Sequence, residues 1–262
     1  MTSAAAAGDS AEAGHAPSLP SVDVVIPVLN EERALPGSIT RLVAFLETEY
    51  RGPWAVVIAD NGSTDGTLAV AQRLSEGKPR VRVVHLDQRG RGRALRRAWL
   101  ESTAEVVAYM DVDLSTDLVA FPRLIEAIVD GADVAIGSRL APDSRVERRT
   151  LKREIASRGY NLLIRLLFPR SGIVDAQCGF KAVRREAAQT LVPLIKDNAW
   201  FFDSELLLLA RRCGYRLAQV PVHWTDDPDS RVRIMRTAWE DIKGLLRVRF
   251  RPPAKPADDA AV

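Results

Sequence analysis

Cysteine is scarce in this chain of 262 residues, since Cys178 and Cys213 are the only two. Two cysteines form neither a disulfide framework nor a zinc-type ligand set, and they fit a reducing compartment. Long hydrophobic runs are also missing, because no stretch approaches the roughly 18 uncharged apolar residues that a membrane span needs. The sequence therefore predicts a fold without disulfides and without a transmembrane helix.

The chain also lacks a large excess of either positive or negative charge. The chain has 37 basic and 34 acidic residues, for a net charge of +3, which is too even to indicate bulk nucleic-acid binding. Hydrophobic residues make up 47% and charged residues 27%, enough to bury a core and solvate a surface. This composition excludes a wholly disordered chain.

The two ends differ in composition from the rest. Residues 1–20 are rich in Ala, Ser, Gly and Pro and lack the basic and apolar regions of a secretory signal. Residues 252–262 hold three prolines and two aspartates among alanines. We expect both ends to be disordered tails around a single folded domain at 21–251.

Strand-like and helix-like segments alternate through the first half. Dense β-branched residues predict strands at 23–28, 55–59, 81–86 and 106–110, and apolar periodicity predicts helices at 31–50, 65–74 and 91–102. This order is typical of an α/β fold with a mostly parallel, Rossmann-like central sheet flanked by helices. Ligands of such sheets bind outside the carboxyl ends of the strands.

Polar residues, and two glycines that flank an arginine, follow the four predicted strands. They are Asn30 and Glu31, then Asp60, Asn61, Ser63 and Asp65, then Gly90, Arg91 and Gly92, and finally Asp111 and Asp113. Four strand ends therefore direct carboxylates, amides and a guanidinium toward one edge of the sheet.

Asp111 and Asp113 suggest a cation site. In an extended segment, side chains two residues apart point the same way, so both carboxylates can face one cation. Mg²⁺ and Mn²⁺ prefer oxygen ligands and often share them with substrate phosphates. The alternative is a surface turn or a helix cap; the position directly after a buried strand favours the functional interpretation.

Four sequence blocks resemble family 2 of the inverting glycosyltransferases, which have the GT-A nucleotide-sugar-binding fold. They are VVIPVLNEE (24–32), VVIADNGSTDGT (56–67), RGRGRALRRA (89–98) and YMDVDLSTD (109–117). Blocks in the second half are similar to polyprenyl-phosphate sugar synthases, especially the dolichyl-phosphate glucosyltransferase branch. These are GSRL (137–140), LKREIAS (151–157), DAQCGFKAV (175–183), WFFDSELL (200–207) and VPVHWTDDPDSRV (220–232). The resemblance covers about residues 22 to 235.

The resemblance implies a set of nucleotide-sugar-binding residues. They are Pro27, Asn30, Glu31, Asp60, Asn61, Ser63, Arg91, Asp111, Asp113, Ser230 and Arg231. Asp60 would accept a hydrogen bond from the base, or else close a turn. Glu31 would bind the ribose, or else stand at a helix N-terminus. Arg91 occupies a position where the family often has Lys.

The resemblance also implies a metal, an acceptor site and catalytic residues. Asp111 and Asp113 would bind Mg²⁺ or Mn²⁺, while Ser115 stands where related synthases often have a third ligand. Arg139, Arg153 and Ser157 would hold the acceptor phosphate, with surface salt bridges as the alternative for the arginines. The predicted catalytic set is Asp203, Glu205, Asp175 and Gln177.

Two members of the second half allow more than one interpretation. A phosphate-monoester acceptor is largely a dianion at neutral pH, so we hypothesise that Asp203 positions substrate rather than acting as an obligatory base. His223 is either a further metal ligand or, more simply, a structural residue of a strand.

Residues 231–251 predict a basic amphipathic helix with Met235, Trp239, Ile242 and Leu246 on one face. Such a helix can lie in an anionic membrane interface, or it can pack on the sheet. The apolar segment 160–168 is a second candidate for lipid contact. We expect peripheral binding to the cytoplasmic face of the membrane, and an integral-membrane partner stays open.

The function implied is transfer of a sugar from a nucleoside diphosphate, UDP-glucose in first place, to a polyprenyl phosphate. The same fold with GDP-mannose, or with a soluble sugar or glycan as acceptor, is the alternative. A non-catalytic nucleotide-sugar-binding module is a different class, which the intact acidic residues Asp111, Asp113 and Asp203 disfavour. A nucleotidyltransferase would carry a glycine-rich, lysine-containing signature at 28–32, which is absent.

Overall fold

A computed structural model describes residues 19–148, 150–226 and 234–254, without the side chains of Lys152 and residues 234–237. The two predicted tails lie almost wholly outside the described residues. So do Ser230 and Arg231, and the side chain of Met235 is not described.

A seven-stranded sheet forms the centre of the molecule. In chain order its strands are β1 (Val22–Val28), β2 (Trp54–Asn61), β3 (Val81–Leu86), β4 (Val106–Met110), β5 (Val134–Ser138), β7 (Phe180–Arg184) and β8 (Leu217–Pro221). Their spatial order is β3-β2-β1-β4-β7-β5-β8. Only β7 runs antiparallel to its neighbours, so the mostly parallel sheet is confirmed. A separate parallel pair consists of β6 (Arg145–Glu147) and β9 (His223–Thr225).

Helices cover both faces of the sheet. They are α1 (Leu35–Glu49), α2 (Thr67–Ser75), α3 (Arg91–Leu100), α4 (Phe121–Val129), α5 (Leu151–Leu167), α6 (Arg185–Leu191), α7 (Phe202–Arg212) and α8 (Ile234–Phe250). Alternate residues of β1 point to opposite faces. Val24 and Ile26 join one core with α1, α2 and α4, while Val25 joins another with α3, α6 and α7.

The four strands expected in the first half are present; α3 begins at Arg91 as predicted, whereas α1 and α2 begin later than predicted. Asn30 has a φ of 58°, a left-handed conformation that interrupts the chain before α1. The helix then begins at Leu35, with Pro36 in its first turn, where proline is favoured. Asp65 precedes α2, and its Oδ1 accepts a hydrogen bond of 3.0 Å from the Thr67 backbone N–H.

The last helix, α8, packs against α5 and α7. Leu245 and Val248 enter the core of that face, and Gly244 lets the backbone come so close that a Cβ would lie 2.4 Å from the Phe201 ring. The Arg247 guanidinium binds both oxygens of Glu205, with Nη2 2.9 Å from Oε2. Glu205 is fully buried, so this pair ties α8 to α7.

Replacing Glu205 with Ala removes the buried partner of Arg247. Because Arg247 is partly exposed and can be hydrated, we expect a loss of about 2 kcal/mol in unfolding free energy, below the range for fully buried pairs. Urea unfolding measures it. Glu240→Ala, which breaks an exposed pair with Lys243 on α8, is the control and should change stability by about 0.5 kcal/mol or less. Equal effects of the two variants would contradict the anchoring role.

Candidate active site

A cleft of about 1220 Å³ opens at the carboxyl ends of β1, β2 and β4. Seven of the predicted nucleotide-sugar-binding residues line it: Pro27, Asn30, Glu31, Asn61, Arg91, Asp111 and Asp113. The expectation that strand ends converge on one site is therefore met for these residues.

Hydrogen bonds join the loops at the nucleotide edge of the cleft. The Asn30 backbone N–H donates to Ser63 Oγ at 2.9 Å, and Thr64 N–H donates to Asn30 Oδ1 at 2.8 Å. Asn61 Nδ2 donates to the Val28 carbonyl at 2.7 Å, and Gly90 N–H donates to Asn61 Oδ1 at 3.1 Å. These bonds hold the ends of β1 and β2 against the start of α3.

Asp60 and Ser63 lie outside the cleft lining, unlike their predicted neighbours. Asp60 is fully buried, with Oδ2 2.7 Å from His85 Nδ1 and Oδ1 accepting from Ser63 N–H at 3.2 Å. In this structure Asp60 closes a turn, which was the stated alternative to base recognition. Base recognition by Asp60 stays a prediction that this geometry does not favour, and Ser63 supports the Asn30 loop.

Asp111 and Asp113 stand in a turn rather than in the extended segment that the sequence suggested. Leu114 N–H donates to the Asp111 carbonyl at 3.0 Å, and Leu114 has a φ of 48°. Asp113 Oδ1 accepts from Ser115 N–H at 3.0 Å. Both aspartates still line the cleft, because the turn presents them at its floor.

Gly179 provides the seat for Asp111. Its carbonyl accepts the Asp111 backbone N–H at 3.2 Å, and a Cβ on Gly179 would lie 1.7 Å from Asp111 Oδ2. The missing side chain leaves room for the carboxylate. Gly179 belongs to the QCGFK block, but the sequence pattern did not reveal this contact.

The residues present fit a divalent cation that is shared with a substrate. Among the described residues no cluster of three or more His, Cys, Asp or Glu side chains could hold a metal ion. Mg²⁺ and Mn²⁺ are commonly bound by one or two carboxylates together with substrate phosphates and water. Asp111 and Asp113 match that donor set, so the cation would need a diphosphate to complete its coordination.

Arg91 connects the acidic turn with Asp203. Its Nη2 donates to Asp111 Oδ1 at 2.8 Å, and its Nη1 donates to Asp203 Oδ2 at 2.7 Å. The guanidinium also lies 4.7 Å from the Tyr109 ring centroid and 5.2 Å from that of Trp200. One cation thus balances two carboxylates that come from β4 and α7.

Asp203 is held as a carboxylate. Tyr109 OH donates to its Oδ1 at 2.5 Å, and Lys181 Nζ lies 3.5 Å from the same oxygen. Burial alone would raise the pKa of Asp203, but the Lys181 and Arg91 cations lower it below its ordinary value. A carboxylate with a lowered pKa is a weak base, so the geometry favours a positioning role.

Asp175 and Glu205 lie outside the cleft lining, unlike Asp203 and Gln177, so their catalytic role stays a prediction that this geometry does not favour. Asp175 is fully buried and binds the Arg139 guanidinium through Nε at 2.8 Å and Nη2 at 2.9 Å. In this structure Asp175 orients Arg139. Glu205 accepts hydrogen bonds from the Arg247 guanidinium and, at 2.9 Å, from the Asp197 backbone N–H.

The three predicted acceptor-phosphate residues share the cleft with the acidic turn. Arg139, Arg153 and Ser157 all line the cleft. Arg153 Nη1 lies 3.0 Å from Asp226 Oδ2, and Arg139 stacks 4.9 Å from the Trp224 ring centroid. Ser157 Oγ is buried without a hydrogen-bond partner among the described residues. A buried hydroxyl without a partner beside two arginines suits an anionic ligand.

His223 lies away from the cleft lining, where Nε2 is 2.9 Å from Glu147 Oε1. This contact joins β9 to β6, so the structural interpretation of His223 is the one that the geometry supports.

Several side chains that line the cleft were not among the predicted site residues, and they include Tyr160, Trp200 and Asp241. Asp241 lies on α8 and is almost fully buried, with Gln177 Nε2 donating to its Oδ2 at 2.8 Å. Burial, together with the charges of Asp197 and Asp203, raises the pKa of Asp241 to about 7. A carboxyl on the inward face of an otherwise basic amphipathic helix was the available signal.

Comparison with known proteins agrees with this arrangement. A family model described as glycosyl transferase family 2 matches residues 23–192. The glycosyltransferase AglD of Haloferax volcanii is 41% identical over 227 residues, which are 86% of this chain but only 35% of that protein. The dolichyl-phosphate beta-glucosyltransferase of Drosophila melanogaster is 33% identical over 230 residues, which are 82% of this chain and 70% of that protein.

A solved structure confirms the fold class. Glucosyl-3-phosphoglycerate synthase from Mycobacterium tuberculosis, in complex with Mn²⁺, UDP-glucose and phosphoglyceric acid, superposes with a TM-score of 0.67. The match covers 90% of this chain and 81% of that one at 20% identity. At this level of identity the similarity extends to the fold alone.

Replacing Gly179 with Ala should displace the Asp111 carboxylate without unfolding the chain. We expect Mn²⁺ binding in the presence of UDP, measured by calorimetry, to weaken about tenfold or more. Gly37→Ala is the control, because nothing lies within 4 Å of a Cβ at that position. Unchanged Mn²⁺ affinity in folded Gly179→Ala would contradict the claim that Gly179 makes room for the Asp111 carboxylate.

Asp241 should make stability depend on pH. Its native pKa of about 7 exceeds the ordinary 3.8, so the native state binds more protons than the unfolded state between these values. The contribution of Asp241 is therefore present below about pH 4 and lost as the pH rises through 7. Urea unfolding should show Asp241→Asn gaining stability relative to wild type from pH 5 to pH 8. An offset that is the same at both pH values would refute this assignment.

Proposed function

Since the chain belongs to glycosyl transferase family 2, we propose that it moves a hexose from a nucleoside diphosphate to a polyprenyl phosphate. UDP-glucose is the favoured donor and a dolichyl-type phosphate the favoured acceptor. The relatives named dolichyl-phosphate beta-glucosyltransferase support both choices, as does the structural neighbour that binds Mn²⁺ and UDP-glucose.

The observation that carries this proposal is the presence of two phosphate-compatible walls in one cleft. Asp111 and Asp113 on one side suit a cation-bridged diphosphate. Arg139, Arg153 and the unpartnered hydroxyl of Ser157 suit a second phosphate. A nucleotide-binding module without transfer activity has no need of the second wall.

The acceptor phosphate serves as the nucleophile. One of its oxygens forms a bond to the anomeric carbon while the bond from that carbon to the nucleoside diphosphate breaks, which inverts the configuration. The second pKa of a phosphate monoester is about 6, so the attacking oxygen is already ionised at neutral pH. No general base is needed, consistent with an Asp203 that is held ionised by Arg91 and Tyr109.

The chain's own residues set the geometry of this reaction. Asp203 fixes Arg91 beside Asp111, where the guanidinium can contact the diphosphate, and Asp175 fixes Arg139 beside the acceptor. A divalent cation held by Asp111 and Asp113 supplies charge neutralisation for the leaving nucleoside diphosphate when it is bound.

Transfer of radiolabel from UDP-glucose and from GDP-mannose into organic-extractable polyprenyl phosphate tests the proposal. We expect cation-dependent label from UDP-glucose, reduced about a hundredfold or more by Asp113→Ala because the leaving group loses its counter-charge. Asp130→Ala, an exposed acid at the end of α4, is the control and should keep full activity.

The other outcomes of this assay are equally informative. Label from GDP-mannose alone would replace the donor and keep the acceptor. Cation-dependent release of UDP without lipid label would replace the acceptor with a soluble one. Neither label nor release from any donor would overturn the proposal.

The acceptor class requires access to a membrane, and we propose that α5 and α8 provide it. Among the described residues no helix has both the length and the apolar character to cross a bilayer. Trp239 and Phe250 on α8 are 59% and 71% exposed, and Leu151 and Leu166 on α5 are 81% and 70% exposed. Both helices therefore present large apolar side chains to the surroundings.

Basic residues accompany these apolar side chains. Lys243 and Arg249 on α8, and Arg158 and Arg165 on α5, are exposed. Cationic and apolar residues on the same helix favour an anionic bilayer surface. The same two helices contribute Ser157 and Asp241 to the cleft, so a lipid-anchored phosphate has a short route to the acceptor wall.

Sedimentation with phosphatidylglycerol-containing vesicles tests membrane binding. The double variant Trp239→Ser and Phe250→Ser should bind at least about a hundredfold more weakly, because burying two aromatic rings contributes about 3 kcal/mol or more. Val129→Ser removes an exposed apolar side chain from α4 and should bind like wild type. Equal binding of all three proteins at low salt would count against an interface on α8.

A further inference from the structure

The part of the cleft around Asp203 differs in chemistry from its two phosphate-compatible walls. It contains the carboxyls of Asp203 and Asp241, the amide of Gln177 and the exposed ring of Trp200. Carboxylates repel a phosphate group but accept hydrogen bonds from hydroxyl groups, and aromatic rings offer an apolar face. This region suits a neutral polyol.

Asp241 keeps hydrogen-bonding capacity that the described residues do not use. Both oxygens of Asp203 already accept strong bonds, from Arg91 and from Tyr109. Asp241 is only 2% exposed, and its Oδ2 accepts from Gln177 Nε2. Its Oδ1 has no hydrogen bond to any described residue. A carboxyl oxygen that has no partner among the described residues, on a residue that lines an open cleft, can accept a hydrogen bond from a ligand.

The competing explanation is that Asp241 has a structural role and holds α8 in place. The Arg247 pair with Glu205 and the packing of Leu245 already fix this helix. A buried carboxyl close to Asp197 and Asp203 also carries an electrostatic penalty, which appears as its raised pKa. Neutral or apolar side chains would fix α8 without this electrostatic penalty. The penalty therefore indicates that Asp241 has a role in the cleft.

We propose that Asp241, oriented by Gln177, binds hydroxyl groups of the hexose that is transferred. Gln177 was expected to orient the sugar together with Asp175, and Asp241 takes the place of Asp175, which is buried behind Arg139. The residue thus links the proposed membrane helix α8 directly to the donor sugar. This inference rests on the proposed function, because it assumes a nucleoside-diphosphate hexose in the cleft.

Calorimetric titration with Mn²⁺ present tests the proposal on the full chain. The probes are UDP and UDP-glucose, with GDP and GDP-mannose as the second pair. For the pair that binds, Asp241→Ala should weaken sugar-nucleotide affinity about tenfold, since one or two hydrogen bonds to a charged group are lost. Affinity for the free nucleotide should change less than about twofold, because no base, ribose or phosphate contact is removed.

Two further variants separate this role from a structural one. Asp241→Asn keeps the shape and one acceptor oxygen, so its loss should be smaller than that of Asp241→Ala. Glu240→Gln, one residue earlier on the exposed side of α8, should bind both probes like wild type. Equal losses for nucleotide and sugar nucleotide, or no loss for either, would overturn the role of Asp241. Failure of wild-type protein to bind either pair would instead overturn the proposed function beneath it.

Discussion

The guanidinium of Arg91 is the group on which the arrangement of the cleft depends. It lies between Asp111 and Asp203, which reach the cleft from the end of β4 and the start of α7. Without it, the partly exposed Asp111 and the buried Asp203 would lose their shared cation, and Lys181 would be the cation left beside Asp203 among the described residues. Arg91 therefore holds the acidic turn after β4 against the start of α7.

Residues outside the cleft lining hold the lining residues in position. Asp175 is hidden yet fixes Arg139 through two parallel hydrogen bonds, and Gly179 is a residue without a side chain that makes room for Asp111. Glu205 holds α8 in place through Arg247. The sequence motifs suggested a direct catalytic role for Asp175 and Glu205 and no role for Gly179. A motif indicates that a residue is important, but it does not show which neighbouring residue it contacts.

The sequence predicted the sheet well because buried parallel strands need continuous β-branched runs, and such runs are visible at β1 to β4. It also predicted that Arg91, Asp111, Asp203 and Arg153 share one cleft, since family motifs preserve those positions. It left both an extended backbone and a turn open at Asp111 and Asp113, and the left-handed Leu114 after them shows that the backbone turns. The sequence did not reveal Asp241, because helical periodicity marks the apolar positions of α8 and does not show that an acid on the same helix is buried beside the cleft.

The amphipathic helix α8 shows most clearly which properties follow from the sequence and which follow from the tertiary structure. Apolar spacing by itself determined that Trp239 and Leu246 share a face of α8, because helical geometry fixes which residues lie together. Two environments could cover that face, the protein core or a bilayer. Only the tertiary structure decided that Leu245 and Val248 enter the core while Trp239 and Phe250 stay exposed. The reason is physical: periodicity is a local property of one helix, whereas burial depends on which elements distant in sequence come to lie against it.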